Sequence, residues 1–147
     1  MTSWGSVDFE PLKKWSREID KALLDNAARE MTEQTLLEMG NRLLRRVKQK
    51  TPVGKGRLRN NWFLSDISWH GDTAEIVIYN NTEYAEAVEY GHRQEVGRYV
   101  PALGKRLKQP FVAGQYMLTL SMQEMEELTP RLIRQREEEF LRRLTGD

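Results

Sequence analysis

Side chains able to do acid–base, metal or phosphate chemistry are few in this sequence, and they are scattered. There is no cysteine, which excludes disulfides and thiolate metal ligands and leaves a reducing compartment allowed. His70 falls in a turn-forming His70-Gly71-Asp72 and His92 follows a short helical stretch. Neither has a second histidine or a carboxylate at the His-x-x-x-His type of spacing that holds a zinc ion, so both read as surface or interface histidines. No serine sits in a Gly-x-Ser-x-Gly elbow. Glu137-Glu138-Glu139 is a charge run on a helix and reads as a solvated face. Gly54-Lys55-Gly56 has the composition of a phosphate loop but not its spacing, and Arg57 stands where a magnesium-binding hydroxyl is needed. The expectation is no catalytic group, no metal site, no cofactor and no enzyme activity.

Basic residues are the non-random feature. The chain carries 23 Lys/Arg against 22 Asp/Glu, so net charge alone argues for no partner. Between positions 45 and 59, however, lie Arg45, Arg46, Lys48, Lys50, Lys55, Arg57 and Arg59 with no acidic residue among them. The helix macrodipole explains cations at a helix C-terminus, which suits Arg45 to Lys50. Lys55, Arg57 and Arg59 lie beyond it and fit contact with phosphates or an acidic protein surface. A second basic stretch holds Arg93, Arg98, Lys105, Arg106 and Lys108 against Glu95.

The elements that must position these residues follow from periodicity. Over 8–49, apolar side chains recur at steps of three or four: Phe9, Leu12, Trp15, Ile19, Leu23, Ala27, Met31, Thr35, Met39, Leu43 and Val47. That predicts an amphipathic helix with Asp8 as N-cap, a weak point at Gly40 and an alternative division at Asn26. Thr51-Pro52 ends it. A helix of this length is expected either to bend into a hairpin or to pack one end on a neighbouring copy. Residues 58–69 predict a strand with an irregularity near Ser65-Asp66, His70-Gly71-Asp72 a hairpin turn, and Thr73 to Tyr79 a strand. Residues 83–90 predict a short helix closed by Gly91 as a left-handed C-cap. Residues 92–113 show no period and predict a long mobile loop. Residues 115–144 predict a helix broken or kinked at Pro130. Tyr84 and Tyr90 are expected to bury their rings with the hydroxyls bonded, and Glu89 to pair with Arg93 across the helix end.

The fold class is therefore α+β: long N-terminal and C-terminal helical regions packed on a small antiparallel sheet, with a long basic loop. At 147 residues, 39% hydrophobic and 31% charged, 1–147 reads as a single domain with 1–7 disordered and 92–113 mobile. The start of the chain lacks the basic and apolar runs of a signal peptide. No apolar stretch approaches the roughly 20 residues of a membrane helix, so a soluble protein made in the cytoplasm, with no membrane partner, is expected.

Two segments carry a resemblance. Lys50-Thr51-Pro52-Val53-Gly54-Lys55-Gly56-Arg57-Leu58-Arg59-Asn60-Asn61-Trp62 is similar to a Thr-Pro-Val-x-x-Gly-x-Leu-x-x-Ser-Trp segment that follows a long helix in small tailed-phage proteins. That family is described variously as tail components, head–tail joining proteins and tail-completion proteins. Val77-Ile78-Tyr79-Asn80-Asn81-Thr82-Glu83-Tyr84-Ala85-Glu86-Ala87-Val88-Glu89-Tyr90-Gly91-His92-Arg93 resembles its second signature: a strand ending in Asn, then Tyr-Ala-x-x-Val-Glu-Tyr/Phe-Gly and His/Thr-Arg. Phe111-Val112-Ala113-Gly114 is similar to a family Val-Pro-Gly, with Ala113 in place of the proline. Lys55 and Asn61 also depart from the usual residues.

The resemblance implies a structural neck subunit. Its fold or interface residues would be Thr51, Pro52, Gly56, Leu58, Trp62, Tyr84, Ala85, Glu89, Tyr90, Gly91, His92 and Arg93. It implies a hexameric ring that joins the head or portal side to the tail and lets DNA pass. Its partners would be connector or stopper proteins and tail-tube or terminator proteins, and it would be assembled in the host cytoplasm and carried in the virion. Lys55, Arg57, Arg59, Arg98, Lys105, Arg106 and Lys108 would then face the channel, with transient non-specific DNA contact, or a partner. The alternatives are a small nucleic-acid-binding protein using the same basic segments, and a tail terminator or minor tail subunit.

Overall fold

The computed structural model describes residues 2–8 and 21–146. In chain order these form β1 (Thr2–Asp8), α1 (Lys21–Lys50), the single turn α2 (Arg57–Asn60), β2 (Trp62–Leu64), β3 (Ser68–His70), β4 (Thr73–Asn80), α3 (Ala85–Tyr90), β5 (Gly91–Arg93), β6 (Tyr99–Val100), β7 (Lys105–Arg106), β8 (Phe111–Ala113) and α4 (Met117–Thr145). The fold is α+β, two long helices on a small antiparallel sheet.

β4 is the centre of that sheet. Its alternating Thr73-Ala74-Glu75-Ile76-Val77-Ile78 sequence sends Ala74, Ile76 and Ile78 to one buried face, as a period of two requires. β3 and β2 pair in succession along one edge of β4, Ser68 opposite Glu75 and Trp62 opposite Asn80. Between them the ladder is interrupted. The Ser65 backbone N–H donates to Val77 O at 2.8 Å, and the Val77 N–H donates to the Ser65 hydroxyl at 2.8 Å. The irregularity read at Ser65-Asp66 is this break. The strand begins at Trp62 rather than at 58, because Arg57–Asn60 coil into a helical turn first. The other edge of β4 takes β1, Thr2 opposite Ile78 and Asp8 opposite Thr73. The disorder expected over 1–7 is thus replaced by a strand, since an open edge of β4 supplies unpaired backbone groups. Asp8 closes that strand; a helix start near it, with Phe9, Leu12, Trp15 and Ile19, lies outside the described residues.

α1 runs unbroken through Asn26 and Gly40. Its buried positions run from Ala28 through Met31, Leu36 and Leu43 to Val47. From Ala28 to Val47 it packs inside its own subunit, and it does not bend into a hairpin. Gly40 marks close approach instead of a kink: a Cβ there would meet Ile76 Cδ1 at 3.2 Å and Leu64 Cδ1 at 3.3 Å. The mid-helix Thr32 and Thr35 are buried because each hydroxyl donates to the carbonyl one turn back, Ala28 O at 2.7 Å and Met31 O at 2.8 Å.

α4 is likewise continuous, with Pro130 inside it and no break after Thr129. It lies antiparallel to α1: Lys50 and Arg46 reach Glu124, while Glu38 meets Arg136 far along both helices. Leu43, Val47, Leu58, Trp62, Ile78, Met117, Leu118 and Met125 form one core cluster; Ala28, Met31, Leu36, Ala74, Ile76 and Phe140 form another. Met39 and Leu64 pack against both.

Candidate functional site

The two signature segments meet at one end of the sheet, around α3. Thr51, buried just past α1, donates its hydroxyl to Val47 O at 2.6 Å and accepts the Trp62 indole N–H at 2.9 Å. One side chain thus closes the helix and ties it to the first residue of β2. Both polar groups are buried, so each needs the other. Gly56 has φ 81°, a left-handed conformation that reverses the chain ahead of α2. Leu58 then enters the core. Asn61 donates to Arg57 O at 2.6 Å and Asn80 to Leu58 O at 2.8 Å, which close the turn and anchor it to the end of β4. Pro52 is exposed, and Ala85 packs on the core at the start of α3.

Glu89 is the buried acid of this region, and it does not pair with Arg93. Its carboxylate accepts the backbone N–H of Leu118 at 2.9 Å and of Thr119 at 2.8 Å, together with the Thr119 hydroxyl at 2.7 Å. These are N–H groups of the first turn of α4, which have no partner inside their own helix. A carboxylate from α3 therefore caps α4, where the helix dipole favours negative charge. Arg93 is exposed on β5, with no ion pair among the described residues.

The chain returns to this point by a close backbone crossing. Gln115 N–H donates to Val88 O at 2.8 Å and Tyr116 N–H to Glu89 O at 3.0 Å. A Cβ on Gly91 would lie 2.5 Å from Val112 O, and one on Gly114 2.4 Å from Glu89 O. Gly91 has φ 87° and ψ 170°, so it is not the left-handed cap expected. It opens β5 at a place only glycine can occupy. Tyr116, with φ 50° and ψ 35°, is the strained residue that turns the chain into α4. Tyr84 and Tyr90 do not bury their rings. Tyr84 lies beneath the Arg57 guanidinium, 5.6 Å away, and Tyr90 is half exposed, edge-on to Tyr116 at 6.4 Å.

From this base stands an arm. The loop expected over 92–113 is a long β-hairpin. β5 pairs with β8 at the base, His92 opposite Val112, and β6 with β7 near the tip, Tyr99 opposite Arg106. Gln94 to Pro110, Gly97 to Leu107 and Leu107 to Arg98 backbone bonds of 2.7–3.0 Å join the two tiers. Almost every side chain beyond the base is exposed, including Val96, Tyr99 and Leu103. Arg98, Lys105 and Lys108 are exposed without an ion pair among the described residues. Arg106 differs: it donates to Gly97 O at 2.9 Å and lies 6.0 Å over the Tyr99 ring, so it braces the arm.

The structure divides the first basic cluster. Arg46 and Lys50 are held by Glu124 at 2.7 and 2.9 Å, and Lys50 foremost, then Arg46, draws the Glu124 carboxyl below its ordinary range. Arg57 makes an exposed contact with Glu83 at 3.3 Å. Lys55 and Arg59 are exposed beside it. Lys55, Arg57 and His92, with Pro52, Tyr84 and Val112, line a groove of about 500 Å³ between the 52–58 turn and the root of the arm. His70, on β3, lies 3.6 Å from Glu75 on the adjacent β4, far in sequence from His92. Among the described residues no group of three or more His, Asp or Glu is placed to hold a metal, and no helix is long and apolar enough to cross a membrane.

Sequence reasoning named Glu89 with the wrong partner and passed over Gly114 and Tyr116 as site residues. Gly114 had a signal, since it closes the third resembling segment. No curated protein and no solved structure matches the chain. A family model does, described as "Bacteriophage HK97-gp10, putative tail-component", over residues 13–91, which covers α1, the 51–62 turn, the sheet from β2 to β4, and α3. The match takes in more than half of the chain, the whole first segment and the second as far as Gly91, so this protein belongs to the HK97-gp10-like family of bacteriophage tail components.

Proposed function

We propose that this protein is a structural subunit of the phage neck, a tail-completion or head–tail connector protein that forms a hexameric ring between the portal side and the tail and leaves a channel for DNA. Membership of a tail-component family places it among virion proteins; the layer and the ring are our reading. The observation that carries it is the basic arm. A two-stranded ribbon exposing Val96, Tyr99 and Leu103 has little footing on its own subunit and is marginal in water without cover. Assembly supplies that cover. The signature residues serve shape: Thr51 and Trp62 join α1 to the sheet, Glu89 caps α4, and Gly91 and Gly114 let two backbones cross. In this reading the subunit acts by assembly. Its neighbours would be connector or stopper proteins on one side and tube or terminator proteins on the other, met during assembly in the host cytoplasm.

The test is a quadruple change of Arg98, Lys105, Arg106 and Lys108 to serine. Removing exposed charges changes stability by about 0.5 kcal/mol or less each. The variant should fold, with an unchanged circular dichroism spectrum and a slightly lower melting temperature from the lost Arg106 brace. It should leave heads and tails unjoined in electron micrographs. Normal numbers of joined particles would remove the arm's role. A small nucleic-acid-binding protein is less well supported, since Arg46, Lys50 and Arg57 already have partners within the fold.

A further inference from the structure

Beside α3, opposite the basic groove, lies a second groove of about 460 Å³, lined among others by Tyr79, Asn80, Glu83, Glu86 and Tyr90 and by no lysine or arginine. Glu86 makes no ion pair among the described residues, and Glu83 has a single exposed contact, to Arg57. The same chain thus carries an acidic groove and, springing from the residue after Tyr90, an arm bearing Arg98, Lys105, Arg106 and Lys108 against Glu95. The arm does not lie on its own groove. Val96, Tyr99 and Leu103 are 57%, 52% and 64% exposed. The eight residues from Gln94 to the tip, broken by a turn at Gly97 and in strand form at Tyr99–Val100, span at most roughly 25 Å at about 3.3 Å each, a reach that extends beyond the subunit's own core.

We propose that the outer arm, residues 94–110, docks into the acidic groove of a second copy of this chain. Tyr99 and Leu103 cover the groove, and Arg98, Lys105 and Lys108 face Glu83 and Glu86. The rival seat, the groove holding Lys55, Arg57 and His92, is rimmed by the arm's own charge sign and repels it. Arm and groove are different surfaces of one chain, so the contact is head-to-tail and repeats from copy to copy, closing only if the rotation allows. The inference rests on the ring reading above and supplies its contact.

The test uses the full chain, whose lack of cysteine makes single-cysteine variants clean. Leu103→Cys and Glu86→Cys proteins, mixed and oxidised, should form a mixed disulfide dimer in preference to either homodimer. Reversing Glu83 and Glu86 to lysine should weaken self-association at least about tenfold, and reversing Arg98, Lys105 and Lys108 to glutamate should do the same. Combining the two reversals should restore association, and raising salt should weaken the wild type. Melting curves check that each variant folds. An oligomer indifferent to both reversals and giving no mixed disulfide overturns this contact while leaving the ring standing. A chain monomeric at millimolar concentration, in particles that lack it at the neck, overturns both.

Discussion

Glu89 shows how a signature residue can be fixed by structure alone. Its three acceptor contacts satisfy the N-terminus of α4 from a different helix. Glu89→Ala leaves those buried donors unmet, and a loss of about 2–4 kcal/mol is expected in denaturant unfolding, with Glu89→Gln losing less. Equal stability of wild type and the alanine variant would show that the cap contributes nothing. The backbone crossing is less forgiving. A methyl on Gly114 would sit 2.4 Å from Glu89 O and 2.6 Å from the Tyr90 carbonyl carbon, atoms that cannot swing aside as a side chain does. Gly114→Ala should lower the melting temperature more than Gly56→Val, for which about 1 kcal/mol is expected from its left-handed φ of 81°. The reverse order would mean that the root of the arm yields easily.

The antiparallel α1–α4 pair is held against the sheet by apolar packing and together along its flank by charge. Glu38 accepts from Arg136 and, at 2.8 Å, from Arg42. The Arg136 hydrogen bond foremost holds the Glu38 carboxyl below the usual glutamate range, against the opposing effect of burial. A depressed folded-state pKa gives stability that is present above the unfolded value, about 4.3, and lost as pH falls through the folded one. Glu38→Gln should therefore lower stability at pH 7 and flatten its decline below about pH 4.5; parallel wild-type and variant curves of stability against pH would exclude the pair. The long helices and β4 were legible in sequence because each has one buried face, and burial imposes a period: 3.6 on Met31, Thr35, Leu43 and Val47, two on Ala74, Ile76 and Ile78. The arm was not legible for the same reason. It is exposed on both faces, so nothing forces alternation, and its register comes from backbone bonds and from turns at Gly97 and Gly104. Glu89 and Gly114 were illegible as partners because the groups they meet are backbone atoms distant in the chain, which no local spacing encodes.

At the scale of the whole molecule, the α1–α4–sheet body holds both core clusters, and the arm projects from it with Tyr99 and Leu103 exposed. The family match ends at residue 91, at the root of the arm. We propose that such subunits close into a ring at the neck. A cryo-electron microscopy reconstruction of the intact particle, with an antibody fragment or fusion tag on this chain, tests it directly. The expected result is a single hexameric layer between the portal side and the tail tube, with the arm of each subunit reaching the next and a continuous channel on the axis. Label found along the tube, at the tail tip or inside the capsid would contradict it.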